Sequence, residues 1–256
     1  MNTKTVSNRA LSVIDQYIHF KFGNAVCSVP YFNNKTARMR AALRARVGKG
    51  SPKDIFEEIQ AVATKNHITA DSLADQSLKM LLVDENIGID CSGFAYYVLN
   101  AENGDRGKGV IDKHLHFVNC KGIVGKIRCS MRPAENCDIA TLANNRNSGT
   151  ISIKEIRPGD IITMIGKSVT ARGDDRDHVL IIHQADYQNF TPTKLYYTHA
   201  VAYPEDGLYG TGVRQGAIEI TDTEKSLVEQ KWLGDNLRIF ERARNSKTEI
   251  RRLNWF

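Results

Sequence analysis

The feature that most limits the fold is a change of period partway along the chain. Up to about residue 100, apolar residues recur at helical spacing; from Ile156 onward they fall into short strand-like runs. Residues 7–22 carry Leu11, Val13, Ile14, Tyr17, Ile18 and Phe20 at near-helical intervals. Ser51 and Pro52 open a second helix, Ser51 as the cap and Pro52 at the first helical position, where its missing N–H costs nothing. Its apolar face is Ile55, Phe56, Ile59 and Val62, and residues 69–83 make a third helix. A fourth starts at or just after Cys91. Strands are expected over 160–165, 178–184, 194–202 and 216–220. Helices first and strands after predict an α+β fold, a helical N-terminal half on a curved antiparallel sheet, not alternating β/α. Residues 101–150 are polar and read as an irregular insertion.

At 256 residues and 41% hydrophobic, the chain can bury a sizeable core, which excludes disordered and collagenous classes. Lys+Arg outnumber Asp+Glu 35 to 29, a balance that favours anionic partners without choosing among them. The run Arg38, Arg40, Arg44, Arg46, Lys49 and Lys53 is either a solvated helix face or a docking surface for an anionic envelope polymer. It lacks interleaved aromatics, which argues against single-stranded nucleic acid. No apolar stretch reaches the length of a membrane span. The N-terminus has no Sec-type h-region or cleavage site. The expectation is a chain cytoplasmic as made, or delivered by a leaderless route.

Five cysteines (Cys27, Cys91, Cys120, Cys129, Cys137) are an odd number at irregular spacing, which predicts reduced thiols and no disulfide framework. His114, His116, Cys120, Cys129 and Cys137 contain zinc-ligating types, but no paired C-x-x-C knuckle; the reading assigns no metal and no cofactor.

An odd cysteine invites a search for a nucleophile. A thiol attacks as thiolate, and a helix start stabilises that charge through its unpaired N–H groups. Cys91 is predicted at such a start. A base must stand near it, oriented by a third polar group. The candidates are His178, heading the apolar run Val179-Leu180-Ile181-Ile182, and His199, inside Tyr197-Thr198-His199-Ala200. His183, five residues from His178, points to the opposite face and is left structural, and Asp177 reads as a solvated turn carboxylate.

Asp90-Cys91-Ser92-Gly93-Phe94, Arg157-Pro158-Gly159-Asp160, Asp177-His178-Val179 and Thr198-His199-Ala200 together resemble the NlpC/P60 family of papain-like cysteine peptidases. The resemblance covers residues 17–34 weakly and 88–102 and 156–203 well. It implies Cys91 as nucleophile, His178 as base and His199 as its orienting partner. Tyr31 would stand near the oxyanion, with Asp90 and Ser92 beside the substrate. It also implies a peptidoglycan stem-peptide substrate, typically a γ-D-glutamyl to diamino-acid bond. The alternatives keep the chemistry with a protein target, as in an intracellular or delivered amidase, deamidase or transglutaminase-like effector, or make the chain a non-catalytic wall-binding relic. The expected organisation is 1–34 as core helix and tyrosine loop, 35–86 as a basic helical insertion, 87–220 as catalytic core and 221–256 as a C-terminal extension.

Overall fold

The computed structural model describes residues 2–33, 43–166, 177–235 and 237–256. Strand β1 (Asn2–Thr5) leads into α1 (Asn8–Ile18), whose cap Ser7 accepts from the Ala10 amide while Ala10, Ile14 and Tyr17 are buried. A hairpin follows, β2 (Phe20–Phe22) and β3 (Ala25–Cys27). Helix α2 (Pro52–Lys65) starts with a capping box, in which Ser51 and Asp54 each bond the other's backbone N–H. It buries Ile55, Ile59, Val62 and Ala63. Helix α3 (Asp75–Asp84) begins later than its apolar pattern suggests, because a 3-10 turn takes Ala70–Ser72. Helix α4 (Cys91–Asp105) is buried along nearly its whole length.

The segment expected to be irregular holds α5 (Gly122–Met131), α6 (Pro133–Asn136), α7 (Ile139–Leu142) and β4 (Ser148–Thr150). Strands β5 (Ile161–Gly166), β6 (His178–Gln188), β7 (Thr191–Val201) and β8 (Gly212–Glu219) follow. The chain closes with β9 (Lys231–Leu233), α8 (Leu237–Asn245) and β10 (Ser246–Leu253). The protein is α+β, with eight helices among the described residues and one large sheet. The sheet order is β4-β10-β5-β6-β7-β8-β9, with β1 paired to the far end of β6, and the pairings are antiparallel.

Side chains alternate across this sheet and build two cores. Val179, Ile181, Ala200 and Val213 belong to the core shared with α1 and α4, which includes Phe94, Val98 and Leu99. Leu180, Ile182, Tyr197 and Val201 belong to the other, with Ile239 and Ala243 of α8. Residues 221–256, read from sequence as an extension with a basic tail, supply two strands of the sheet, and β10 lies between β4 and β5. The charges of that tail are absorbed in place. Arg251 is buried, bonding Ser148, Asn145 and Glu249, and Arg252 grips both oxygens of Asp160 at 2.7 and 2.8 Å. Asp160 in turn accepts from the Arg157 amide, closing the Arg157-Pro158-Gly159-Asp160 turn.

Two further expectations change. Cys120 and Cys129 are joined by a disulfide, so the prediction of reduced thiols fails at this pair: the fold of α5 brings their Cα atoms to 6.3 Å, a distance that suits the bridge. The basic run is not one free helix face. Arg38 and Arg40 lie outside the described residues, Arg46 is paired with Glu58 and Glu85, Arg44 with Glu135, and Lys49 is buried. Gly93 is placed where the backbone of another segment comes closest to α4: a Cβ there would lie 2.8 Å from the Gly48 carbonyl oxygen and 2.9 Å from Ile89 Cδ1. Gly93→Ala is therefore expected to cost about 1–3 kcal/mol through overpacking against backbone, visible as a lowered midpoint in urea or thermal unfolding.

Candidate active site

The site is assembled on the start of α4. Asp90 is its N-cap and accepts from the Gly93 amide at 2.6 Å. Cys91 is the first helical residue, 5% exposed. Its amide is among the four N–H groups at a helix start that no intrahelical carbonyl accepts, and the helix dipole is positive there. The local chain direction comes from two neighbours. The Phe32 amide donates to the Ile89 carbonyl and the Ile89 amide to the Pro30 carbonyl, so Tyr31 runs beside residues 88–90 as a parallel bridge. The Gly48 carbonyl accepts from the Asp90 amide at 2.8 Å.

Lys49 pins these pieces together, and sequence reasoning missed it by reading it within a basic run, as a solvated face or a docking surface. Its ammonium donates to Asp90 Oδ1 (2.9 Å), Ser92 Oγ (2.6 Å) and the Cys137 carbonyl (3.0 Å). Tyr97 and Tyr17 hold the flanking backbone through bonds to the Lys49 and Gly50 carbonyls. Asp90 and Ser92, expected beside the substrate, thus direct their side-chain oxygens at Lys49, at each other and at the helix cap.

His178 is the first residue of β6 and His199 lies on β7. They meet across the intervening space: His178 Nε2 and His199 Nδ1 are 2.7 Å apart, the two rings nearly perpendicular. His199 Nε2 then reaches Asp235 Oδ2 at 2.7 Å, and the Tyr197 hydroxyl donates to the same oxygen at 3.3 Å. No motif marks Asp235, which lies 36 residues beyond His199 in a turn before α8. It reaches the ring because residue 216 is glycine, where a Cβ would come 2.9 Å from Asp235 Cβ.

The network orders its own protons. An ionised carboxylate only accepts, so His199 carries its proton on Nε2 and offers Nδ1 as an acceptor. His178 then donates from Nε2, which leaves its Nδ1 with a lone pair. Burial holds His178 well below the usual imidazole range, with Arg242 and His199 adding to the effect. Burial also lowers His199, against the opposing pull of Asp235. His178 is therefore a neutral base at neutral pH.

Both histidines lie on the sheet face of Leu180, Ile182 and Tyr197, whereas Cys91 belongs to the core on the α4 face. Burial raises the Tyr31 phenol well above its ordinary value, helped by Cys91 and Asp90, with Arg242 opposing. Arg242 acts on His178 and His199 as well. Tyr31 is half-buried and accepts from Asn33 at 3.4 Å; it stays a phenol able to donate.

The remaining sequence candidates lie elsewhere or serve the frame. His183 sits at a β-bulge, bonded to Thr198 Oγ1, with its pKa lowered by burial to about 4. Asp177 accepts from the Gly166 amide. His114 stacks on Trp255, His116 faces Arg146, and Cys137 is a buried thiol pushed up to about 12 by desolvation. Among the described residues, no group of three or more His, Cys, Asp or Glu could hold a metal ion. Comparison with known proteins finds no matching family model, no matching curated protein and no matching solved structure.

Two outcomes follow from these contacts. Lys49→Met leaves the Asp90 carboxylate buried without its cation, and is expected to cost about 3–5 kcal/mol in denaturant unfolding. His178, His183 and His199 all have folded pKa values below the ordinary 6.5, so the unfolded chain binds more protons as pH falls. Their share of stability is complete above about pH 6.5 and is lost on acidification, for His183 down to about pH 4. The melting temperature, followed from pH 8 to pH 4, should be level at the alkaline end and decline through that window.

Proposed function

We propose that this protein is a papain-like cysteine peptidase or amidase of the NlpC/P60 type, acting on peptidoglycan stem peptides. The observation that carries the reading is the buried series His178–His199–Asp235, found in a chain that also holds a cysteine at a helix start. The peptide substrate rests on the sequence resemblance, and the thiol chemistry on the geometry as well.

In this reading His178 Nδ1 takes the proton of the Cys91 thiol, which requires sulfur and nitrogen to meet around the N-terminal end of β6. The thiolate attacks the amide carbonyl carbon, and the carbonyl electron pair moves onto oxygen. In this reading the Cys91 amide and the Tyr31 hydroxyl donate to that oxyanion. Collapse breaks the C–N bond, and the His178 imidazolium protonates the leaving amine. A water then gives its proton to His178 as it attacks the thioester, and the second collapse releases the acid and returns the proton to Cys91. His199 and Asp235 hold the His178 ring and tautomer throughout, and stabilise the imidazolium in the manner of a triad's third member.

Incubation with purified muropeptides, read by product mass, tests the substrate: a mass gain of one water with scission inside the stem supports the reading. The nucleophile is tested separately with a thiol probe near neutral pH. Selective labelling of Cys91, lost in His178→Ala, supports the pair, whereas equal labelling of all unbridged cysteines favours a relic. Cys91→Ser is expected to abolish hydrolysis with the fold intact, and turnover by that variant refutes the assignment. His199→Ala should keep residual activity, because an orienting group contributes less than the base. If it is as inactive as His178→Ala, the two roles must be redrawn.

A further inference from the structure

Helix α5 presents its apolar side outward. Its inward residues are Gly125, packed against Cys120, and Cys129, disulfide-bonded to Cys120. Ile123 and Val124 are each 80% exposed, Met131 72% and Ile127 56%. Ile123, Ile127 and Met131 follow at four-residue steps and form one stripe, with Val124 beside it. Lys126 and Arg128 fall on its two borders, both exposed. A surface helix in a globular protein ordinarily turns such a stripe to the core.

The charge around this helix is as uneven as its hydropathy. Residues 113–131 contain Lys113, Lys121, Lys126 and Arg128 and no acidic residue.

We propose that α5 docks on an anionic lipid surface, lying in its plane. The stripe would enter the boundary between headgroups and acyl chains, while Lys126 and Arg128 reach back to the phosphates. The two observations together select this partner. A nucleic acid or a polyanionic wall polymer answers the charge but leaves four large apolar side chains in water. A single apolar protein groove answers the stripe but not the unopposed basic residues at its borders. Among the described residues no helix is long and apolar enough to cross a membrane, so the contact is interfacial. The disulfide holds the base of the helix and lets the outer face meet the lipid already ordered. The proposal stands independently of the thiol chemistry.

Co-sedimentation of the full chain with vesicles tests it, using phosphatidylcholine alone and phosphatidylcholine mixed with phosphatidylglycerol. The expected result is binding to the mixed vesicles that weakens with salt, and far less to the neutral ones. Lys126→Gln with Arg128→Gln should weaken binding by about fivefold for each charge removed. Ile123→Ser with Ile127→Ser should weaken it by about tenfold or more. Both pairs are on an exposed face, so thermal melting should be unchanged and certifies the fold. Absence of binding to mixed vesicles at low salt overturns the proposal. So does binding that the isoleucine changes leave intact, which would be bare electrostatic adhesion. Concentration-dependent self-association without vesicle binding, lost in the isoleucine variant, would make a second copy of this chain the occupant instead.

Discussion

One buried ammonium organises the centre of this protein. Lys49 stands where the segment 48–50, the start of α4 and the carbonyl of Cys137 converge, and it bonds all but the first of these through its own three protons. An unpaired charge in that position would cost several kcal/mol. Three acceptors at hydrogen-bond distance offset that cost only when Asp90, Ser92 and Cys137 are all in place. The interaction therefore selects one arrangement of the helix start, and with it the position of Cys91. Tyr17 and Tyr97 add the steric half of the same constraint by fixing the backbone on either side of the lysine.

The sheet imposes the second constraint. Its two faces carry different cores, and the polar series His178–His199–Asp235 is embedded in the face covered by α8. Dry surroundings strengthen each bond of that series and keep the imidazoles neutral, which is the state a base must be in before it accepts a proton. The Arg242 charge lowers the pKa of Tyr31 as well as that of His178. The proposed chemistry requires the thiol and the imidazole to meet at the N-terminal end of β6.

The disulfide and the outward helix form a third, separate feature. Disulfides persist in oxidising surroundings. A wall substrate and a lipid surface, both proposals here, would each lie within reach of a protein in such a compartment.

Much of the local architecture was legible from residue types alone. Ser51-Pro52 announced α2, and the apolar runs from 160 to 220 announced the central antiparallel strands, because capping and alternation are local chemistry. The histidines could be singled out for the same reason: imidazoles inside apolar strands need partners. What the chain order could not disclose were contacts between distant residues that no local pattern signals. Lys49 reads as one more cation in a basic run, Asp235 as one more turn residue, and residues 246–253 as a charged tail, until the sheet inserts that tail between β4 and β5 and neutralises it there. Cys120 and Cys129 look unpaired in a set of five irregularly spaced cysteines, and only the turn of α5 brings their Cα atoms within bridging distance. Sequence alone thus determined most of the regular elements and singled out the candidate side chains, whose signals are short-range. Tertiary structure alone decided which charges are buried together and which face each residue serves, because desolvation and pairing exist only once remote segments have met.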